Sequence, residues 1–186
     1  ANKAYLIYGP ASGTMSLSSA DATLIGEYYN DYTGYSVSSA GDVNSDGYDD
    51  LLIGAPYNDD GGTCAGKAYL VYGPVSGSMY LSFADAAFVG QGAGDWAGYS
   101  VSSAGDVNAD GYDDVLIGAP FNNDGGTCAG KAYLVYGPVA GTMNLSTADA
   151  AFVGEQAVDY AGYSVSSAGD VNGDGYDDVL IGALYN

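Results

Sequence analysis

Gly41-Asp42-Val43-Asn44-Ser45-Asp46-Gly47-Tyr48-Asp49-Asp50-Leu51-Leu52-Ile53-Gly54-Ala55-Pro56 is the stretch that decides the fold. It returns from Gly105 to Pro120 and again from Gly169 to Leu184. Counted from Asp42, side-chain oxygens stand at positions 1, 3, 5 and 9, which are Asp42, Asn44, Asp46 and Asp50. Gly47 stands at position 6, where a tight turn needs positive φ. Tyr48 follows and can offer its backbone carbonyl. A loop of this kind suits a hard cation taking six to eight oxygens, and calcium tolerates irregular geometry better than magnesium does. An EF-hand is excluded, because its loop ends in a bidentate Glu at position 12 and enters a helix. Position 12 here is Ile53, inside Leu51-Leu52-Ile53, which Gly-Ala-Pro follows. That short, Gly/Pro-bounded run is predicted to be a buried strand. The loop therefore joins two strands.

The stretch belongs to a larger repeat. Lys3, Lys67 and Lys131 fall 64 residues apart, as do Asp42, Asp106 and Asp170. Between Ala65–Asn122 and Ala129–Asn186 only 11 of 58 positions differ, so one structural unit has been copied. Each unit carries four strand signals. They are A (Gly34–Ala40), B (Leu51–Ala55), C (Ala68–Tyr72) and D (Ala86–Gly90). Asp-Gly, Gly-Gly and Gly-Pro punctuate the connections. Four short strands repeated about an axis are the plan of a β-propeller. The period exceeds the common blade length, and the excess lies in the C–D connection. There Leu-Ser-x-Ala-Asp-Ala (Leu17–Ala22, Leu81–Ala86, Leu145–Ala150) is expected to form an Asx-type turn. The B–C loop, Asn58 to Cys64, is polar and Gly-rich, and is expected to be a mobile, protease-sensitive tip.

The composition agrees with an all-β chain: 30 Gly and 19 Tyr in 186 residues, with few helix formers. A formal charge of −20 argues against nucleic acids and anionic membranes as partners. Twelve of the 23 acidic residues lie in the three loops. No apolar run reaches the roughly 18 residues needed to span a bilayer, and no membrane insertion is expected. The chain opens on strand-like Ala4-Tyr5-Leu6-Ile7-Tyr8 without a signal peptide, and reads as mature or trimmed. Cys64 and Cys128 occupy equivalent points of neighbouring repeats, too distant for a bridge. Free thiols are expected, with an intermolecular bond as the alternative.

Gly-Tyr-Ser-Val followed by Gly-Asp-Val-Asn-x-Asp-Gly-Tyr-Asp-Asp-Leu-Leu-Ile-Gly-Ala-Pro resembles the FG-GAP repeat, the unit of the integrin α-subunit propeller. The likeness is closest to long bacterial secreted or surface proteins built from such repeats, and it covers essentially the whole chain. It implies an extracellular or cell-surface calcium-binding propeller with three ions per chain. Its ligands would be Asp42, Asn44, Asp46, the Tyr48 carbonyl and Asp50 in the first loop. Asp106, Asn108, Asp110, Tyr112 and Asp114 would serve in the second, and Asp170, Asn172, Asp174, Tyr176 and Asp178 in the third. The chain departs from the pattern at Thr33, Ala97 and Ala161, where the family has Phe, and at Leu184, where it has Pro. An aromatic residue (Tyr32, Trp96, Tyr160) stands one place before each of the first three.

Three carboxylates converging without a counter-charge would repel one another, which favours a metal over an empty Asx-rich hairpin. Asp49, Asp113 and Asp177 are expected to be solvated or hydrogen-bonded, not ligands. Tyr5, Tyr8, Tyr69, Tyr72, Tyr133 and Tyr136 recur at strand spacing and are assigned to packing between blades. Tyr28, Tyr29, Tyr32, Trp96 and Tyr160 are the candidates for contact with a protein or glycan ligand. With no histidine and no arginine, no Ser-His-Asp or Cys-His set can form, and no catalytic residue is assigned. The expected function is adhesion, protein interaction or assembly without catalysis. A lectin-like carbohydrate binder is the alternative, and a polysaccharide-acting enzyme comes after it.

The expected organisation is a single propeller domain. Residues 1–30 supply strands C and D of a split blade. Residues 31–94 and 95–158 form whole blades, and 159–186 supply strands A and B of another split blade. Two chains exchanging strands would close a six-bladed homodimer. The competing expectation is a section of a longer propeller.

Overall fold

The computed structural model describes residues 2–186. Its strands begin with β1 (Lys3–Leu6), β2 (Ala22–Ile25), β3 (Val37–Gly41), β4 (Asp50–Ala55), β5 (Lys67–Val71), β6 (Gly77–Tyr80) and β7 (Ala86–Val89). They continue with β8 (Ser100–Gly105), β9 (Asp114–Ala119), β10 (Lys131–Val135), β11 (Gly141–Asn144), β12 (Ala150–Val153), β13 (Ala161–Gly169) and β14 (Asp178–Ala183). The helical segments among the described residues are four one-turn 3-10 pieces. The chain is all-β, and its four sheets agree with the expected propeller blades.

One sheet joins β1, β2 and β6, and another runs β3-β4-β5-β7-β11. A third runs β8-β9-β10-β12, and β13 pairs with β14. Strand B is apolar on both faces because both are covered. Leu52 and Leu70 pack towards the β8-β9-β10 sheet, in a cluster with Val101, Val115 and Ile117. Ile53 and Tyr69 face the β1-β2 sheet, with Leu24 and Leu81. Each fully buried Leu, Ile or Val contributes about 1.5–3 kcal/mol.

The C–D connection differs from expectation. It supplies a fifth strand that pairs, in parallel, with strand D of the preceding repeat: β6 with β2 and β11 with β7. A four-residue segment such as Gly77-Ser78-Met79-Tyr80 has no alternation to announce it, and its partner lies in another repeat. The expected Asx-type turn is instead a 3-10 turn at Leu17–Ser19, Leu81–Phe83 and Leu145–Thr147. The neighbouring aspartates act across the connection. Asp21, Asp85 and Asp149 accept the backbone N–H of Tyr8, Tyr72 and Tyr136 at 2.8, 2.8 and 2.9 Å.

The B–C loop exposes Asp59, Asp60 and Thr63, as expected, but is more extensively hydrogen-bonded than its composition suggests. Asn58 is buried and donates to Asp31 Oδ2 at 2.8 Å, while Asp59 Oδ1 accepts the Cys64 N–H at 2.7 Å. Lys67 Nζ binds both Asp60 and, from the preceding repeat, Glu27, each at 2.7 Å. At the corresponding place Lys131 binds Asp124 at 2.7 Å and the Gln91 amide oxygen at 2.9 Å. Sequence polarity here marks buried hydrogen bonding, and only the loop's outer side chains meet solvent. Cys64 and Cys128 are free thiols.

Candidate metal centre

Each A–B hairpin folds its oxygen donors onto its own backbone. In the first loop Asp46 N–H donates to Asp42 Oδ1 at 3.0 Å and to Asn44 Oδ1 at 2.9 Å. Gly47 N–H donates to Asp42 Oδ2 at 2.8 Å, and Tyr48 N–H to Asp46 Oδ1 at 2.9 Å. The turn requires left-handed backbone at two places: Gly47 has φ 91°, and Ser45 has φ 59°. Loops two and three repeat this geometry, with Ala109 and Gly173 in place of Ser45.

Asp50 closes the loop from beneath. It is fully buried and accepts Val43 N–H on Oδ2 and Gly73 N–H on Oδ1, both at 2.9 Å. Burial raises its pKa; the two N–H donors oppose the rise, and the nearby Asp46 and Asp42 carboxylates add to it. Asp114 is placed the same way by Val107 and Gly137, and burial chiefly pushes it up to about 6. Asp178 keeps the Val171 N–H at 3.0 Å but is only half-buried. Asp170, at the exposed third loop, is held below the usual carboxylate range chiefly by the Gly175 N–H.

The donor chemistry fits a hard divalent cation: carboxylate, amide and peptide oxygens, with no nitrogen or sulfur ligand. Each carboxylate oxygen that accepts one N–H keeps a further lone pair. Asp50 and Asp114, buried beside other carboxylates, carry an electrostatic strain that a cation would relieve. Among the described residues, no three His, Cys, Asp or Glu side chains form a cluster able to hold a metal by themselves. The amide and the position-7 carbonyl would have to complete the set.

Asp113 and Asp177 do hydrogen-bond, and across repeats. Asp113 Oδ2 accepts the Asp42 N–H at 2.7 Å, and Asp177 Oδ2 accepts the Asp106 N–H at 3.0 Å. Gly41 fits beside this contact only because it lacks a side chain: a Cβ there would lie 2.0 Å from Asp113 Oδ2.

The opposite ends of the same strands carry aromatic rings. Tyr32, Tyr57, Trp96, Phe121, Tyr160 and Tyr185 form one row, with neighbouring centroids 4.4 to 5.5 Å apart. Tyr35, Tyr99 and Tyr163 form a second row beside it. Three candidate contact residues, Tyr32, Trp96 and Tyr160, thus come together, whereas Tyr28 and Tyr29 stand exposed outside the rows. Tyr57, Phe121 and Tyr185 were missed, although they recur at the repeat spacing just beyond strand B. The departures from Phe are accommodated here. Tyr32, Trp96 and Tyr160 take left-handed backbone at φ 55°, 58° and 55°, and Thr33, Ala97 and Ala161 turn inward and are buried. Of the strand tyrosines, Tyr69 and Tyr133 are buried between sheets, and Tyr8 and Tyr72 donate to the Val75 and Val139 carbonyls of the following repeat.

FG-GAP repeats are matched at residues 33–71, 97–135 and 161–186. The chain belongs to the FG-GAP repeat family. Its FG-GAP repeats are 32% identical over 170 residues to integrin alpha pat-2 of Caenorhabditis elegans, 83% of the chain and 13% of that protein. They are 33% identical over 165 residues to human integrin alpha-7, 88% of the chain and 13% of that protein. With integrin alpha-5 of Xenopus laevis the identity is 35% over 165 residues, 86% of the chain and 15% of that protein. The FG-GAP chain thus spans about one-seventh of the length of these curated relatives. No helix among its described residues is long and apolar enough to cross a membrane.

Proposed function

We propose that this chain is a calcium-stabilised propeller module that works outside the cell in adhesion or assembly, without catalysis. The observation that carries the reading is the buried Asp50 and Asp114, each held beneath an all-oxygen loop and beside further carboxylates. Asp42, Asn44, Asp46, the Tyr48 carbonyl and Asp50 would hold the first ion. Asp106, Asn108, Asp110, the Tyr112 carbonyl and Asp114 would hold the second. Asp170, Asn172, Asp174, the Tyr176 carbonyl and Asp178 would hold the third. The ion would supply charge neutralisation and a cross-link within each hairpin. The integrin alpha relatives support the extracellular assignment. Calcium titration followed by calorimetry tests the reading. Three ions per chain are expected, with stabilisation of about 2.7 kcal/mol per site at a hundredfold excess over Kd. A melting curve indifferent to both EDTA and calcium would overturn it.

The aromatic rows favour a second reading, a carbohydrate-binding propeller, because exposed rings can stack on sugar faces. Saturable binding to one glycan class on an array, lost on Trp96→Ala, would establish it. An array without reproducible binding would dismiss it.

A further inference from the structure

We infer that Tyr99 and Tyr163 form a modification site, at which hydrogen peroxide acting through a peroxidase joins the two rings into a dityrosine that links neighbouring repeats. The inference rests on a contact between two hydroxyls. Tyr99 Oη donates to Tyr163 Oη at 2.9 Å, across 64 residues of chain. The ring centroids stand 4.8 Å apart and the planes meet at 49°. Ring spacings of this size are ordinary for packed aromatics. The oxygens set this pair apart. Phenols meeting end to end would hold their centroids much farther apart, so these two lie side by side and point the same way. The carbons ortho to each hydroxyl, where a new bond forms, are therefore neighbours as well.

The backbone presents both rings by the same device. Tyr99 N–H donates to the Trp96 carbonyl and Tyr163 N–H to that of Tyr160, each at 3.1 Å. The glycine before each tyrosine has left-handed backbone, at φ 80° for Gly98 and 79° for Gly162. A Cβ added at these glycines would fall 2.4 Å from the Lys67 carbonyl oxygen and 2.3 Å from that of Lys131. Both rings thus stand on closely packed backbone, and radicals formed on them meet without rearrangement of the chain.

The chemistry balances within the pair. Burial, and then the hydrogen bond to Tyr163, hold the Tyr99 phenol above its ordinary pKa, so it is protonated at neutral pH. As an electron leaves Tyr99, directly or through the Trp96 ring 6.3 Å away, its proton passes to the Tyr163 oxygen, whose own proton goes to water. Tyr163 then loses an electron and its remaining hydroxyl proton. Each ring is now a phenoxyl radical with spin on its ortho carbons. The radicals combine through one C–C single bond. The two hydrogens on the joined carbons leave as protons, and the phenolic oxygens each regain one, which restores both aromatic rings. In all the pair gives up two electrons and two protons, and hydrogen peroxide takes them up to become two waters.

Tyr35 stands on the other side of Tyr99, with centroids 4.9 Å apart and planes at 47°. Tyr99 is thus the central phenol of three, and its coupling partner is the one to which its hydroxyl donates. Cys64 and Cys128 are free thiols, so the dityrosine would tie two repeats together without a disulfide. A link between positions so far apart in sequence restricts the unfolded chain much as a disulfide does, and should raise the melting temperature. The inference needs neither the calcium reading nor the carbohydrate reading.

Treatment of the dilute, purified chain with hydrogen peroxide and a haem peroxidase is the test. The product should show the blue fluorescence of dityrosine and a raised melting temperature. Peptide mapping by mass spectrometry should find the peptides of Tyr99 and Tyr163 joined, at their combined mass less two hydrogens. Tyr99→Phe and Tyr163→Phe should each keep the β-sheet circular dichroism and lose the joined peptide together with the rise in melting temperature. Tyr80→Phe, at an exposed position on β6, should keep both. Oxidised protein without dityrosine overturns the inference. So do cross-links confined to exposed tyrosines such as Tyr28 and Tyr29, or a fluorescence that survives Tyr163→Phe undiminished.

Discussion

Asp113 Oδ2 accepts the backbone N–H of Asp42 at 2.7 Å, so the second Asp-rich loop holds the first residue of the loop before it. The two positions are 71 residues apart, and the contact recurs between Asp177 and Asp106. Neighbouring loops are therefore joined from the first residue of one to the eighth position of the next.

Asp113→Ala should cost about 1–3 kcal/mol, because it leaves the part-buried Asp42 N–H without its acceptor. For a chain of this size each kcal/mol lowers the melting temperature by about 2–4 °C. Differential scanning calorimetry reads the shift. A melting temperature within 1–2 °C of wild type, roughly the noise expected of a neutral surface change, would show that the contact is dispensable.

The metal-free protein should lose stability as pH rises from about 4 to 7. Asp114 titrates near 6 in the fold, against the ordinary 3.8. A raised carboxylate contributes stability that is complete below its unfolded pKa and disappears as pH passes its folded one. The difference amounts to about 3 kcal/mol at most. Asp31, Asp50, Asp95 and Asp113 shift the same way, each chiefly through burial. Asp114→Asn should flatten the profile measured in EDTA. A stability that rises across this window would contradict the assignment.

Gly111→Ala and Gly105→Ala should separate backbone strain from steric exclusion. Gly111 has φ 90° with open space around it, so alanine there meets strain alone, about 1–2 kcal/mol. At Gly105 an added Cβ would also fall 2.0 Å from Asp177 Oδ2. Urea unfolding should place the second variant clearly below the first; equal midpoints would remove the steric argument.

Lys67→Met should destabilise more than Lys131→Met. Removing Lys67 strands two carboxylates, Glu27 and Asp60, with Glu27 also bound by the Tyr69 hydroxyl at 2.9 Å. At the second site one of the two partners is the neutral Gln91. Breaking a buried pair typically costs about 3–5 kcal/mol, and the less charged site should fall below that. Matched thermal melts of the two variants decide the order.

The sheet strands and the Asp-rich A–B turns were legible because their signals are local. Asp-x-Asn-x-Asp-Gly lies within one hairpin, and the Leu-Leu-Ile run shows on its face that it is buried. The fifth strand was not legible, since Gly77–Tyr80 carries no pattern of its own and pairs with a segment roughly fifty residues earlier in the chain. The hydrogen bonding of Asn58–Cys64 was hidden for a related reason. Asn58 looks like a solvent-facing turn residue until Asp31 meets it from 27 residues earlier, and the Lys67 that Asp60 binds is shared with Glu27 of the preceding repeat. The role of Asp113 needed the same long reach.

The crossing of β11 onto β7 also bears on synthesis. Strand β7 leaves the ribosome roughly fifty residues before its outer neighbour does, a delay of about 3–10 s at ordinary elongation rates. Throughout that interval the nascent chain carries an uncovered, apolar sheet edge. Each repeat thus depends on the next one being translated, and a stalled ribosome would leave the newest blade open to aggregation.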